Sequence, residues 1–463
     1  MLDRVLFIFF LGVVAPCVGL AKPIIVTIDN PQFRRLVLAI PEFEIESNLE
    51  ADDELALFRQ QGAAKLRALL DFTGLFNHIS HVAYEGLKVK GVKATGDVDF
   101  SQWNSLGVEA LILGRIGKDI SGPFLELRAL DIVKRRQILG KRYRDLSASE
   151  FVPTMRRFGN WVLEAFTGKP GIYNSKIVFV GRKKRGDLKQ IYVCDFDGSN
   201  VRQISNNNST NISPHFSPDG KVVTYTSFRN RNPDLYAFNL ETNSEKIMSK
   251  YQGLNSGAQW SPSGKLISYT GSKNGDTDIF ILNPETGRRK KLIRGSGLDV
   301  DPTFSPDGKY LAFVSGRYGN PHIFKATLKW NGEKNVRVVS DMRLTYAGWY
   351  NSTPAWSPDS KQIVFAGYDK HIDRYDIFIM DPMGKSLERL TLKTGDNESP
   401  SYSPNGQMIV FQSNRMGGRD IKGRPQLWVM NSDGSGQREL STGLYEAQTP
   451  SWSNALYPTT LKP

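Results

Sequence analysis

A seven-residue motif returns five times in the second half of this chain, and no other feature limits the fold as much. The copies are His215-Phe-Ser-Pro-Asp-Gly-Lys221, Gln259-Trp-Ser-Pro-Ser-Gly-Lys265, Thr303-Phe-Ser-Pro-Asp-Gly-Lys309, Ala355-Trp-Ser-Pro-Asp-Ser-Lys361 and Ser401-Tyr-Ser-Pro-Asn-Gly-Gln407, followed by a partial sixth, Ser451-Trp-Ser453. Their serines (Ser217, Ser261, Ser305, Ser357, Ser403 and Ser453) stand 44, 44, 52, 46 and 50 residues apart. That period is one four-stranded blade of a β-propeller. Proline fixes φ and Asp-Gly tolerates positive φ, so the motif turns the chain tightly between an innermost and a second strand. Apolar runs such as Val222–Tyr225 and Ile363–Phe365 follow it, and a further strand comes next, as in Asp234–Phe238, Asp278–Leu282 and Asp376–Met380. The motif aromatic is expected to pack between blades, a structural role, rather than to hold a ligand.

The strand count predicts how the ring closes. Lys176–Ile204 supplies three strands with no motif strand before them, and the last motif strand, Pro450–Ser453, has nothing after it. Joined, they complete a sixth blade and leave no open edge. Upstream the texture differs. Arg35–Ile40 reads as a strand and Asp53–Phe72 as a helix; Val108–Ile116, Phe124–Ile132 and Gln137–Arg144 read as strands, and Ser147–Phe166 as a helix with Gly168 just past its end. The expected fold is therefore multidomain: an α/β sandwich over 22–168, then an all-β six-bladed propeller over 169–463 closed by the C-terminal strand.

Residues 1–21 carry an export signal. Arg4 precedes the apolar run Val5–Val14, and the small residues Gly19 and Ala21 mark a cut before Lys22. Pro16 stands where a lipidation site at Cys17 needs a small residue, so a soluble exported chain is expected. Only Cys194 then remains, which leaves no intramolecular disulfide. The formal net charge is +13, but the basic clusters Arg182–Arg185 and Arg288–Lys291 lie between strands with no groove-reading motif beside them. They read as solvated turn charges, and no nucleic-acid partner is expected.

No Gly-x-Ser-x-Gly elbow and no phosphate-binding glycine loop occurs, so no catalytic residue is assigned and the chain is expected not to be an enzyme. His78 and His81 lack a third ligand for a metal. Six residues before each repeat serine stand Asn211, Asn255, Asp299, Asn351, Asn397 and finally Ala447. Two readings of this regularity coexist. One is an Asx-turn into each innermost strand. The other is a polar ring at one mouth of the central channel, which Asp299, Asp301, Glu398 and Glu446 would make acidic. No cofactor is assigned, although such a mouth would attract a divalent cation.

The repeat alone is common to several propeller families. The stretches Ser101–Arg115 and Phe166–Phe179 are more specific, and with them the chain resembles the TolB family from about Arg35 to Trp452. The resemblance implies a monomeric periplasmic adaptor of the Tol–Pal system. It implies binding of the lipoprotein Pal at the propeller mouth and of TolA through the N-terminal region, with roles in outer-membrane integrity and cell division. Carried over residue by residue, the partner surface is Leu254, Asn255, Ser256, Asp299, Val300, Asp301, Asn351, Ser352, Thr353, Asn397 and Glu398. Leu254 stands where the family often has histidine, and Lys22–Phe33 departs from the family's N-terminal peptide. The alternatives are a periplasmic peptide- or sugar-binding propeller, or the propeller part of a serine peptidase.

Overall fold

The computed structural model describes residues 35–454, apart from stretches within 47–52, 86–94, 274–275, 294–296, 372, 393 and 416–422. The leader at 1–21 and the peptide 22–33 lie outside it. The first domain has one mixed sheet, ordered β3-β1-β4-β5-β6, with β2 also paired to β4. Its strands are β1 (Leu36–Ala39), β2 (Glu44–Ile45), β3 (Phe76–His78), β4 (Ala110–Asp119), β5 (Gly122–Asp131) and β6 (Arg136–Tyr143). Helices α1 (Asp53–Phe72) and α3 (Ala148–Thr167) pack together, with α2 (Phe100–Ser105) between β3 and β4. Gly168 closes α3 in the left-handed conformation at φ 68°, donating its N–H to Glu164, as its place after the last apolar residue predicts. His78 ends β3 and faces Asp71 at 3.1 Å.

Six four-stranded sheets follow, and in five of them the innermost strand pairs with the strand after it. The sixth is built from both ends of the propeller: Glu446–Trp452 pairs antiparallel with Lys176–Arg182, followed by Gln190–Asp195 and Arg202–Gln203. The motif residues show why this joint works. In the first blade Ser217 Oγ accepts from the N–H of Val222 at 2.9 Å, and Ser261, Ser305, Ser357 and Ser403 repeat the bond to Leu266, Tyr310, Gln362 and Met408. In the closing blade Ser453 Oγ accepts the same bond, at 3.0 Å, from Lys176, 277 residues away. The motif Asp is not the residue at positive φ. Asp219, Asp307 and Asp359 instead accept the serine hydroxyl, and the next residue takes φ of 61–72°.

The motif aromatics pack between blades as expected. Phe216 lies with Val178 and Val180 of the preceding blade, Tyr402 with Val364 and Ile377, and Trp356 with Ala312 and Val314. A second regularity runs round the ring. The residue opposite each Asn/Asp position alternates: Ser227, Gly271, Ser315, Gly367, Ser413, Gly181. In the serine blades the hydroxyl accepts from Nε of Arg229, Arg317 or Arg415, and each guanidinium lies over a third-strand ring, Tyr236, Phe324 or Trp428. In two glycine blades an arginine from the outer strand, Arg289 or Arg389, covers Phe280 or Phe378 instead. A Cβ on Gly271 would lie 2.7 Å from the Phe280 ring, so serine has no room there.

The α/β domain sits under the fifth and sixth blades, on the face formed by the motif turns. Phe72 of α1 meets Phe196 edge-on at 4.8 Å, Asn405 donates to the Pro170 carbonyl, and Arg438 donates to the Phe72 carbonyl. Across the same junction Asp195 takes Arg156 of α3 and Lys176, each at 2.8 Å. Burial pushes this carboxyl up, but hydrogen bonds from Lys176 and Asn200 outweigh it and hold it below the usual range. One apolar core therefore runs from α1 and α3 into Met408, Val410 and Trp452. Cys194 is buried in it, and burial pushes its thiol well up. No helix among the described residues is long and apolar enough to cross a membrane.

Trp452, 2% exposed, joins all these parts: its ring fills the core and its Nε1 donates to Ser175 Oγ at 2.8 Å. Trp452→Ala is expected to lower unfolding free energy by about 3–5 kcal/mol. Deletion from Ala447 onward is expected to abolish the cooperative thermal transition, because the ring then opens. Calorimetry checks both, and an unchanged cooperative transition in the truncated chain would refute closure by this strand.

Candidate functional site

The recurring Asn/Asp residues open the innermost strands but do not face the channel. Asn211, Asn255, Asp299 and Asn397 are fully buried and Asn351 nearly so. Their side chains turn back into the preceding loop rather than two residues forward, which corrects the Asx-turn reading. Asn255 Nδ2 donates to the carbonyls of Gly253, Tyr251 and Pro233 at 2.7–3.1 Å, and its Oδ1 accepts from Ser249 at 2.6 Å. Asn351 donates to the Ala347 carbonyl and Asn397 to that of Gly395. Aspartate cannot donate, so Asp299 is held differently, by Arg317 at 3.3 Å. These residues fix the loops and present no polar ring of their own.

The ring belongs to the residues two positions later. Every innermost strand carries a bulge there, and all six residues have positive φ: Ser213 (54°), Gly257 (62°), Asp301 (50°), Thr353 (47°), Ser399 (52°) and Thr449 (47°). Only Gly257 holds that conformation freely. The other five are strained, and the β-branched Thr353 and Thr449 most of all. The bulge brings these residues to the wall of the central channel, a cavity of about 420 Å³. A second layer holds His215, Gln259, Thr303, Ala355, Ser401 and Ser451, and the floor holds Pro218, Pro262, Pro306, Pro358, Pro404 and Asn454. The signal for the ring was present in the sequence: proline follows five of the six bulge residues.

The ring is polar and mostly uncharged. The hydroxyls of Thr353 and Thr449 are buried and make no hydrogen bond among the described residues. Asp301 receives the N–H of Thr353, while its own N–H donates to Thr270 Oγ1; burial raises its carboxyl above the usual range. Burial likewise raises Asp299 and Glu398, against hydrogen bonds from Ser315 and Gln412 respectively. His215, beside Gln259 at 2.9 Å, is pushed down to about 4 by burial and is neutral at pH 7. The acidic mouth is weaker than the sequence suggested, because Arg317 takes Asp299 and Arg182 takes Glu446. The cluster Arg182–Arg185 also lies on this side, at the end of the strand paired with Glu446. No group of three His, Cys, Asp or Glu among the described residues could hold a metal ion.

Of the carried-over surface residues, Asp301 and Thr353 line the channel. Glu398 binds Gln412 at the rim, Leu254 and Ser256 are half-buried there, and Val300 packs between the third and fourth blades. Sequence reasoning missed an aromatic arc on the same side. Tyr318, Tyr346 and Trp349, in loops of the third and fourth blades, are 72%, 75% and 50% exposed.

The fold and this channel define a closed six-bladed propeller carrying an amino-terminal α/β domain on the face away from its polar mouth. Family models give that class a name: the TolB amino-terminal domain matches residues 24–138 and the TolB beta propeller domain residues 163–456. The chain belongs to the TolB family. A Tol-Pal system protein TolB from Hydrogenovibrio crunogenus is 41% identical over 363 residues, covering 78% of this chain and 80% of that one. The Tol-Pal system protein TolB of Desulfosudis oleivorans is 36% identical over 54% of this chain, and there the match spans only 56% of the relative's length. The crystal structure of TolB from Acinetobacter baumannii superposes with a TM-score of 0.74 at 25% identity, covering 91% of this chain and 97% of that one.

The strained ring gives a pH-dependent prediction. A carboxyl whose folded pKa is raised destabilises the fold at any pH above that value, and the penalty vanishes below the unfolded value of about 3.9. Asp301→Asn should therefore stabilise the chain at pH 7, with the pH-dependent gain gone below about pH 4. Denaturant titrations at both pH values test this, and a constant gain would contradict it. Asn255→Asp should destabilise more than Asn255→Ala, since a carboxylate would face three carbonyl oxygens. The expected loss for Ala is about 2–3 kcal/mol.

Proposed function

We propose that this chain is a non-enzymatic periplasmic adaptor of a Tol–Pal system, docking a Pal-like outer-membrane lipoprotein across its propeller mouth. The N-terminal region engages a TolA-like inner-membrane protein, and the pair of contacts supports outer-membrane integrity and cell division. One observation supports the mouth assignment: the strained ring, with two hydroxyls that find no hydrogen-bond partner among the described residues, lies on the same side of the propeller as the exposed aromatics Tyr318, Tyr346 and Trp349. Buried polar groups without partners favour a ligand that supplies them, and exposed aromatics are where binding energy concentrates. Contacts are made by Leu254, Ser256, Val300, Asp301, Ser352, Thr353 and Glu398. Asn255, Asp299, Asn351 and Asn397 are buried, so they act by holding those residues in place.

Titration calorimetry with the soluble domain of the Pal-like lipoprotein from the same envelope tests this reading. Binding should weaken at least tenfold in Trp349→Ala, in line with loss of a central aromatic contact. Ile120→Ala, fully exposed on the β4–β5 turn of the other domain, should leave affinity unchanged. No binding by the wild type, or equal loss in both variants, would overturn the docking face.

A further inference from the structure

We propose that the outer edge of the third blade accepts an extended acidic–apolar segment of a partner protein as a fifth strand. The six blades provide their own comparison. Five outer strands are short: Arg202–Gln203, Glu245–Ser249, Arg289–Lys291, Glu388–Arg389 and Arg438–Glu439. The third blade ends in Val336–Arg343, eight residues, paired to a nine-residue third strand, His322–Trp330. Blade closure does not need this length. Short outer strands are one way proteins keep sheet edges from pairing with other chains, and this blade departs from it.

The lengthened hairpin is fixed in place before any partner arrives. Trp330 Nε1 donates to the Gly308 carbonyl at 2.6 Å and its ring lies 6.0 Å from Phe304. Lys290 of the second blade donates to the Val336 carbonyl and to Asn335, both at 2.8 Å, and Lys334 pairs with Glu285. Val336 and Val338 pack inward. Val339 and Met342 are 56% and 39% exposed, and no strand among the described residues pairs with the outer side. A rigid edge binds with little ordering cost.

Charge selects the occupant. Arg337 stands directly opposite Lys329, and like charges in that position are destabilising. Neither has an ion pair among the described residues, while Asp341, the one acid of the strand, is taken by Arg317 at 3.1 Å. A carboxylate on an added strand would neutralise Arg337, with apolar side chains covering Val339 and Met342. A second copy of this chain would bring Arg337 and Arg343 against the same basic edge and relieve nothing. Val339 is the extra residue of a bulge between the Thr327–Ser340 and Leu328–Val338 pairs, which suits a short segment and not a long flat sheet.

Fluorescence anisotropy with the full mature chain tests this, using a labelled synthetic peptide that alternates valine and glutamate and a second in which lysine replaces glutamate. The acidic peptide should bind and the basic one should not. Arg337→Glu, at an exposed site, should weaken the acidic peptide roughly tenfold and admit the basic one. Amides of Ser340–Arg343 should gain hydrogen-exchange protection only with the matched peptide. Equal binding of both peptides, or indifference to Arg337→Glu, would overturn the proposal. So would a dimer of the chain that Val339→Lys with Met342→Lys dissociates, because a second copy would then be the occupant.

Discussion

The structure depends on one non-covalent joint, where Glu446–Trp452 lies beside Lys176–Arg182. Within a blade, the motif serine binds the next strand through a turn of a few residues, so the entropy of closing that loop is small. At the joint, Ser453 makes the same bond to Lys176 across the whole propeller, and the serine N–H returns to the Lys176 carbonyl at 2.9 Å. The geometry is that of every other blade, but the loop it closes is the entire ring. Trp452 reinforces the joint from below by reaching Ser175, so ring closure and the seating of the α/β domain share residues. The two domains are consequently one packed core and not two bodies on a linker.

Closure also makes the channel possible. With six innermost strands held at equal register, six bulges fall at one level, and five non-glycine residues stay at positive φ because the surrounding sheets leave no alternative. The Asn/Asp residues two positions earlier hold the loops above, and serine or glycine on the second strand goes with the side from which an arginine covers the ring in five of the six blades. The strain is concentrated at the channel wall, where buried hydroxyls and a raised carboxyl lie. That concentration distinguishes the mouth from the opposite face, which the N-terminal domain partly covers.

Much of this was legible in the sequence because repeats compare a chain with itself. The period, the turn at Ser-Pro-Asp-Gly, the sixth blade built from both ends and both long helices are in the residues, and the structure places them within a few positions of the reading. The site was less legible. The asparagines at the position of Asn255 are conspicuous in the repeat for the same reason that they are buried: a side-chain amide bonds carbonyls of the preceding loop, which is a structural task. The residues at the channel wall, Ser213, Gly257, Asp301, Thr353, Ser399 and Thr449, differ from blade to blade, so repetition hides them. Only the following proline and the backbone conformation reveal them. Nothing in the sequence pattern marks Tyr318, Tyr346 and Trp349 as neighbours, since they come from loops whose shared side is a consequence of strand direction.

Docking at the channel mouth can be seen residue by residue. The most direct measurement is amide hydrogen exchange on the full mature chain, alone and with the soluble domain of the Pal-like lipoprotein. New protection is expected only in the loops and first residues of the innermost strands around 254–257, 298–301, 345–353 and 396–399. Protection confined instead to the motif turns at 217–220, 305–308 and 403–406, on the opposite face, would contradict it.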